Sequence, residues 1–254
     1  MNDRLPLGVK IRDIKHETPS VSTLRFDHSF MFIPGQFVMV WVPGTDEIPM
    51  ALSSEDSITV QNVGEATAAL NALSAGDMIG IRGPFGNGFP LEQDTFAIAG
   101  GLGAAPLLPL AEKGFVKTFI LGAKTATDLL FLERLGRVTD VHILTDDGSA
   151  GRKGFAVQGM EGLPLRDYSQ VCVCGPERMM NGVLSYLLKE GLGDRGMFSL
   201  HRYMKCGCGV CGSCCIDPTG ARVCREGPVF SGTELTGSEF GRYSRDGSGR
   251  KRPL

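Results

Sequence analysis

Net charge is almost absent from this chain: 26 Lys and Arg stand against 28 Asp and Glu in 254 residues, a formal balance of −2. A protein so balanced has no general attraction for nucleic acid or anionic lipid, and we expect neither as a partner. Membrane-length apolar runs are missing as well. The one long uncharged stretch, Thr95 to Ala111, is broken by Gly100, Gly101, Gly103, Pro106 and Pro109 and falls short of the roughly 20 residues of a spanning helix. A strand, a glycine loop and a helix start are expected there. Met1-Asn2-Asp3-Arg4-Leu5-Pro6 lacks the charged-then-apolar pattern of a signal peptide, so the expected location is cytoplasmic. Histidine is scarce, with four scattered residues. No Ser/His/Asp triad or metal-hydrolase pattern appears, and no catalytic side chain is assigned; His201 is read as structural.

Cysteine is plentiful by contrast. Two of the eight, Cys172 and Cys174, lie in an apolar segment, whereas Cys206, Cys208, Cys211, Cys214, Cys215 and Cys224 crowd into nineteen residues. Without an export signal a disulfide framework is the poorer reading, and one local metal centre the better. Cys206, Cys211, Cys214 and Cys224 form C-x4-C-x2-C-x9-C, whose first three members match the spacing of plant-type [2Fe-2S] ferredoxins. Gly207, Gly209 and Gly212 supply backbone able to wrap a cluster with its amides toward sulfur. Three rivals stay open at this point, the first being free or disulfide-paired cysteines. Zinc would normally show two separated C-x2-C knuckles. Cys208-x2-Cys211-x2-Cys214 imitates the start of a [4Fe-4S] motif, but no C-x3-C-P continuation follows. The four-cysteine set leaves Cys208 and Cys215 as spare thiols.

The rhythm of the chain changes twice. Short strand candidates, Val9 to Ile14, Ser20 to Asp27, Gln36 to Val42, Ser57 to Gln61 and Met78 to Arg82, are punctuated by Gly and Pro and predict an antiparallel barrel over residues 1–92. Residues 93–196 alternate strands (Phe96 to Ala99, Lys117 to Leu121, Val141 to Thr145, Gln170 to Cys174) with helical stretches (Pro106 to Lys113, Ala126 to Gly136, Glu177 to Glu190), the pattern of a parallel-sheet α/β domain. Residues 197–240 depend on their cysteines. Residues 241–254 are polar and basic, read as a solvated, frayed terminus with a partner-binding arm as the alternative.

Gly100, Gly101 and Gly103 lie between the first strand of the alternating region and a helix opened by Pro106, where free amides could receive a pyrophosphate; a tight structural turn is the alternative. Cys174-Gly175-Pro176 and Asp146-Asp147 end two further strands and should reach the same sheet edge. The two acids would repel a ribose 2′-phosphate and favour NAD, unless they only form a solvated turn. Cys174 faces the nicotinamide or is simply a small buried strand residue.

Barrel, nucleotide domain and cysteine cluster in this order resemble the ferredoxin reductase family, and within it the electron-transfer subunits of NAD-dependent dihydroorotate dehydrogenases. The resemblance spans nearly the whole chain. It rests on Pro34-Gly35-Gln36-Phe37, Gly83 to Phe89, Gly100 to Pro106, Thr145 to Ser149 with Gly151 and Gly154, Cys174-Gly175-Pro176, and Cys206 through Glu226-Gly227-Pro228-Val229-Phe230. It implies FAD on the barrel, with Pro49, Met50, Ala51, Leu52 and Ser53 near the isoalloxazine, Val60, Gln61 and Asn62 beside it, and Gly64, Ala66 and Thr67 at the pyrophosphate. It also implies a hetero-oligomer, in which an FMN-containing dihydroorotate dehydrogenase catalytic subunit passes electrons through the [2Fe-2S] centre and FAD to NAD+. One departure stands out. Ile48 and Ala51 occupy places where the family usually has Arg and Ser or Thr, so other groups must neutralise the flavin phosphates. Sulfide dehydrogenase, ferredoxin:NADP oxidoreductase and hydrogenase subunits share these parts, and a binding module that has lost flavin is a different class of alternative.

Overall fold

The computed structural model describes residues 5–254; Met1 to Arg4, two-thirds of the segment read above for an export signal, lie outside it. Six antiparallel strands, β1 (Leu7–Thr18), β2 (Val21–Phe26), β3 (Phe37–Trp41), β4 (Glu47–Ser54), β5 (Ser57–Gln61) and β6 (Met78–Phe85), close in the order β1-β2-β5-β4-β3-β6. Helix α1 (Glu65–Asn71) joins β5 to β6. Alternation sorts each strand, so that Ile79 and Ile81 of β6 and Val38 and Val40 of β3 fill the barrel while Arg82 and Met39 face outward. Strand β4 was not expected. Its Pro49 reads against an interior strand, and only pairing with β3, Pro49 opposite Met39, reveals it.

The second sheet is built from β7 (Thr95–Gly100), β8 (Val116–Ala123), β9 (Asp140–Thr145), the short β10 (Arg152–Lys153), β11 (Val171–Cys174) and β12 (Gly196–Ser199), all parallel. Helices α2 (Ala104–Glu112), α3 (Leu132–Gly136) and α4 (Glu177–Lys189) cross over between its strands. The expected helix over Ala126 to Gly136 is interrupted, because Phe131 is buried in a left-handed conformation at φ 58° and separates a short turn from α3. Every residue of α2 from Ala104 to Ala111 is buried. An all-apolar helix needs cover on every side, and α2 finds it between the sheet and β4 of the barrel. That resolves the long uncharged stretch. Leu107, Leu108 and Leu110, fully buried there, each contribute about 1.5–3 kcal/mol.

The cysteine-rich segment is an excursion from this sheet rather than an appendage after it. It leaves β12, forms the two-residue pair β13 (Cys215–Ile216) and β14 (Ala221–Arg222), and returns as β15 (Val229–Ser231), which pairs antiparallel with β12 as the seventh strand, followed by α5 (Gly232–Leu235). One core runs without a break from Met180 and Phe198 through Cys214 and Cys224 to Phe37 and Met39 on the barrel's outer face.

The basic C-terminus is not frayed. Strands β16 (Tyr243–Arg245) and β17 (Lys251–Pro253) form a hairpin, and Arg245 pairs with Asp217 at 2.6 Å and with Glu239 at 3.0 Å. Composition alone hid this, since the acids that hold the tail lie six and 28 residues upstream.

Candidate functional site

Six cysteines lie in the excursion between β12 and β15. Cys214 and Cys224 are 2% exposed, Cys206 is half-buried, and Cys208 and Cys211 are at the surface. The glycine-rich turn aims amides at sulfur. Gly209 donates to Cys224 Sγ at 3.1 Å, Val210 and Cys211 donate to Cys206 Sγ at 3.4 and 3.5 Å, and the Cys224 amide donates to Cys214 Sγ at 3.4 Å. Burial opposes ionisation of Cys206, but hydrogen bonds from Cys211, Cys208 and Val210 outweigh it and bring the thiol down to about 6. Burial and then the charge of Cys206 push Cys208 the other way. Cys224 is driven up by burial and by Cys214, so its thiolate forms only when a cation compensates it. Among the described residues no three His, Cys, Asp or Glu side chains converge as a single-ion site requires. A [2Fe-2S] cluster divides four thiolates between two irons, and the loop offers pairs: Cys214 beside Cys224, and Cys206 beside Cys211. The donor set therefore fits a two-iron cluster.

Three motifs that the sequence left separate meet where this loop docks on the barrel. Gln36 Nε2 donates to the Gly86 carbonyl at 2.7 Å, Asn87 Nδ2 to the Glu226 carbonyl at 2.9 Å, and the Asn87 amide to the Gly227 carbonyl at 2.6 Å. Arg222 grips Glu226 and also donates to the Gly209 carbonyl at 2.7 Å. Its hydrogen bonds hold the Glu226 carboxyl down at about 2. Cys206 and Gly207 lie over β3 and β6, close enough that a Cβ on Gly207 would come within 2.6 Å of Met39 Cγ.

The nucleotide loops converge on the carboxyl edge of the second sheet as expected. Gly100 ends β7 and Gly175-Pro176 follow β11. Gly103 owes its identity to this convergence, because a Cβ there would sit 2.1 Å from the Cys174 carbonyl oxygen. Gly101, at φ 52° with nothing within 4 Å of a Cβ position, is the loop glycine open to a ligand. Replacing Gly103 by Ala is expected to force the loops apart and cost about 2 kcal/mol. Urea unfolding would measure the loss, and NADH titration should show weakened binding in the folded fraction.

Asp146 and Asp147 are exposed at the end of β9. Asp147 accepts from the Ser149 amide at 2.9 Å and from its hydroxyl at 2.6 Å, so it builds its own turn, and Asp146 is the acid left for a ligand. Lys124, exposed at the end of β8 with its carbonyl accepting from the Asp147 amide at 3.3 Å, completes this edge and was not singled out from sequence. Burial pushes the Cys174 thiol up to about 12, against a weaker opposing hydrogen bond from Ser199. It is a neutral packing group, and iodoacetamide at pH 8 to 9 is expected to leave Cys174 unlabelled in a peptide map of the native protein.

On the barrel, strand pairing divides the flavin candidates. Met50, opposite Val38, and Leu52 and Val60 turn inward, so they offer a ligand only backbone. Ile48 also turns inward, opposite Val40. Pro49 and Ala51 lie opposite Met39 and Phe37 and alternate with the inward residues, so they face outward. Ser53 is fully buried in a hydroxyl ladder with Ser57 and Thr59 at 3.0 and 2.9 Å. Gln61 is half-buried, and Asn62, Gly64 and Glu65 are exposed where α1 begins. Thr67 Oγ1 accepts from the Val63 and Gly64 amides and donates to the Gly64 carbonyl, all at 2.9 Å, so it shapes that turn. Ala66 is half-buried in the same first turn. The turn Gly101–Gly103 lies against β5. Met39, on which the cysteine loop seats, thus stands opposite Pro49, and the nucleotide turn lies against the strand that ends at Gln61, an arrangement that fits a flat group placed between two redox partners.

Comparison with known proteins places the chain in a family. Residues 201–236 match the family described as the iron-sulfur cluster binding domain of dihydroorotate dehydrogenase B. The chain is 47% identical to a probable dihydroorotate dehydrogenase B (NAD(+)) electron transfer subunit of Methanocella arvoryzae, over 98% of this chain and 99% of the relative. To the like-named protein of Methanocaldococcus jannaschii it is 45% identical over 97% and 98%. Among solved structures, that of the NADH-dependent reduced ferredoxin-NADP oxidoreductase superposes with a TM-score of 0.77 at 27% identity, covering 89% of this chain and 88% of the other. With near-complete coverage at this identity, the chain belongs to the family of electron transfer subunits of dihydroorotate dehydrogenase B (NAD(+)).

Proposed function

We propose that this chain links an FMN-containing catalytic subunit, which oxidises dihydroorotate to orotate, to NAD+. In this reading Cys206, Cys211, Cys214 and Cys224 hold a [2Fe-2S] cluster, the outward face of β4 and the start of α1 hold FAD, and the loops at Gly101 and Asp146 hold NAD. The observation that carries it is the adjacency just described: Cys206-Gly207 seats on Met39, Met39 pairs with Pro49, and the Gly101–Gly103 turn lies against β5. Bound FAD supplies exchange between a two-electron hydride and single electrons, and a bound cluster supplies a one-electron relay.

The chain's own residues do the rest. Amides of Gly209, Val210, Cys211 and Cys224 stabilise thiolate charge. Pro49 and Ala51 present a small, apolar face suited to an isoalloxazine ring. The exposed backbone at Gly64 and Glu65 meets the phosphates without the usual arginine. Asp146 disfavours a 2′-phosphate and so selects NAD. The units are residues 1–92 for FAD, 93–196 for NAD and 197–240 for the cluster, the last two sharing one sheet. A cytoplasmic setting suits a chain whose eight cysteines are all free of disulfides and in which no described helix is long and apolar enough to cross a membrane.

Co-purification with the native partner tests this reading. The complex should be yellow, hold FAD and about two irons per copy of this chain, and reduce NAD+ with dihydroorotate, whereas the chain alone should lack dihydroorotate activity. A hydrogenase or glutamate-synthase-like partner would overturn it. Of the alternatives, the ferredoxin-NADP oxidoreductase-type complex is the second reading, which the 0.77 TM-score supports.

A further inference from the structure

Arg82 stands where the barrel meets the cysteine loop, and no motif singles it out. It projects from the outer face of β6 beside Met39, with 12% of its side chain exposed. Its Nε and Nη2 donate to the two carboxylate oxygens of Glu47 at 2.7 and 2.6 Å, and Nη2 also donates to the carbonyl of Cys206 at 3.3 Å. Its guanidinium lies 5.7 Å from the centre of the Phe85 ring. Glu47 opens β4, two residues before Pro49, so one ion pair joins the strand that faces the flavin to the backbone of a cluster ligand. Hydrogen bonding to Glu47 is the main cause that raises the Arg82 pKa, and the nearby Cys208 and Cys206 add to it.

A full positive charge this close to one end of a thiolate cluster favours its more negative, reduced form. The carboxylate of Glu47 offsets part of that field. A bidentate guanidinium keeps the charge in place, which a mobile ammonium would do less well.

We propose that Arg82, clamped by Glu47, is a positioning residue of the iron–sulfur site: it fixes the Cys206 backbone and raises the cluster's reduction potential, with Glu47 setting how far. This rests on the reading that Cys206 ligates the cluster. The experiment is an EPR-monitored redox titration of the intact complex carrying Arg82→Gln, Arg82→Lys or Glu47→Gln. Arg82→Gln should lower the midpoint by about tenfold in the reduction equilibrium, which for one electron is about 59 mV. Glu47→Gln should raise it, and Arg82→Lys should recover most of the wild-type value. Opposite shifts from the two halves of one ion pair are not produced by a loss of packing, which would move both variants the same way. A cluster signal that is intact with no shift, or with shifts of the same sign, overturns the proposal and leaves the cluster assignment standing. If Arg82→Gln loses its iron, the sign of the Glu47→Gln shift and the recovery in Arg82→Lys decide. Absence of any [2Fe-2S] signal in the wild-type complex would instead remove the reading beneath it.

Discussion

Replacement of Cys224 by serine is expected to take the iron content from about two per chain to near none, while Cys208→Ser leaves it unchanged. The difference follows from position rather than from cysteine chemistry. Cys224 is buried at 2% exposure, receives the Gly209 amide at 3.1 Å and offers its own amide to Cys214. A serine there keeps the volume but supplies no thiolate, and the amides aimed at sulfur lose the charge they serve. Cys208 is exposed, and its thiol is pushed up first by burial of its surroundings and then by Cys206. Iron assay with visible absorption on both purified variants checks this. Iron loss from Cys208→Ser with retention in Cys206→Ser would show that the C-x2-C-x2-C set is used instead.

The second large effect is predicted far from any cofactor. Arg202 is 4% exposed and joins three parts of the chain, donating to Glu177 at 2.5 and 3.0 Å and to Glu239 at 3.2 Å. Glu177 opens α4 directly after Cys174-Gly175-Pro176, and Glu239 is fully buried, also accepting from Arg245 and from the Asp217 amide. Arg202→Met would leave Glu177 with only the Gly241 amide at 2.9 Å and Glu239 with a single cation. Stranding a buried carboxylate in this way costs about 3–5 kcal/mol, or a melting temperature lower by roughly 10 °C for a chain of this size. Thermal melts at pH 7 measure the loss. Adding Glu177→Gln to Arg202→Met should recover part of the loss, whereas an unchanged melting temperature in Arg202→Met would refute the account.

Much was legible from residues alone wherever the physics is local. The C-x4-C-x2-C-x9-C spacing and its interleaved glycines describe a loop that closes on itself, and the amide bonds to Cys206, Cys214 and Cys224 arise within nineteen residues. The Gly100 to Pro106 turn and the apolar rhythm of the parallel strands were equally readable, since turn chemistry and strand periodicity act over a few positions. Strand β4 was not, because Pro49 speaks against a strand and the pairing that overrides it comes from β3 and β5. The tail was misjudged for a related reason: a run of basic residues looks solvated until Asp217 and Glu239 are brought beside it.

The cysteine cluster, the nucleotide turn and the order of the chain's parts were therefore determined by sequence, as each depends on spacing along the backbone. Only the tertiary structure decided which side each residue serves. It turned Met50, Leu52 and Val60 into the barrel, spent Ser53 and Thr67 on their own hydrogen-bond networks, and gave Gly103 to a neighbouring carbonyl rather than to a ligand. It also brought Glu47, 35 positions from Arg82, into an ion pair that reaches Cys206 a further 124 positions on. Contacts of such separation depend on how a closed barrel and a parallel sheet dock through one continuous core, and no local pattern encodes that docking.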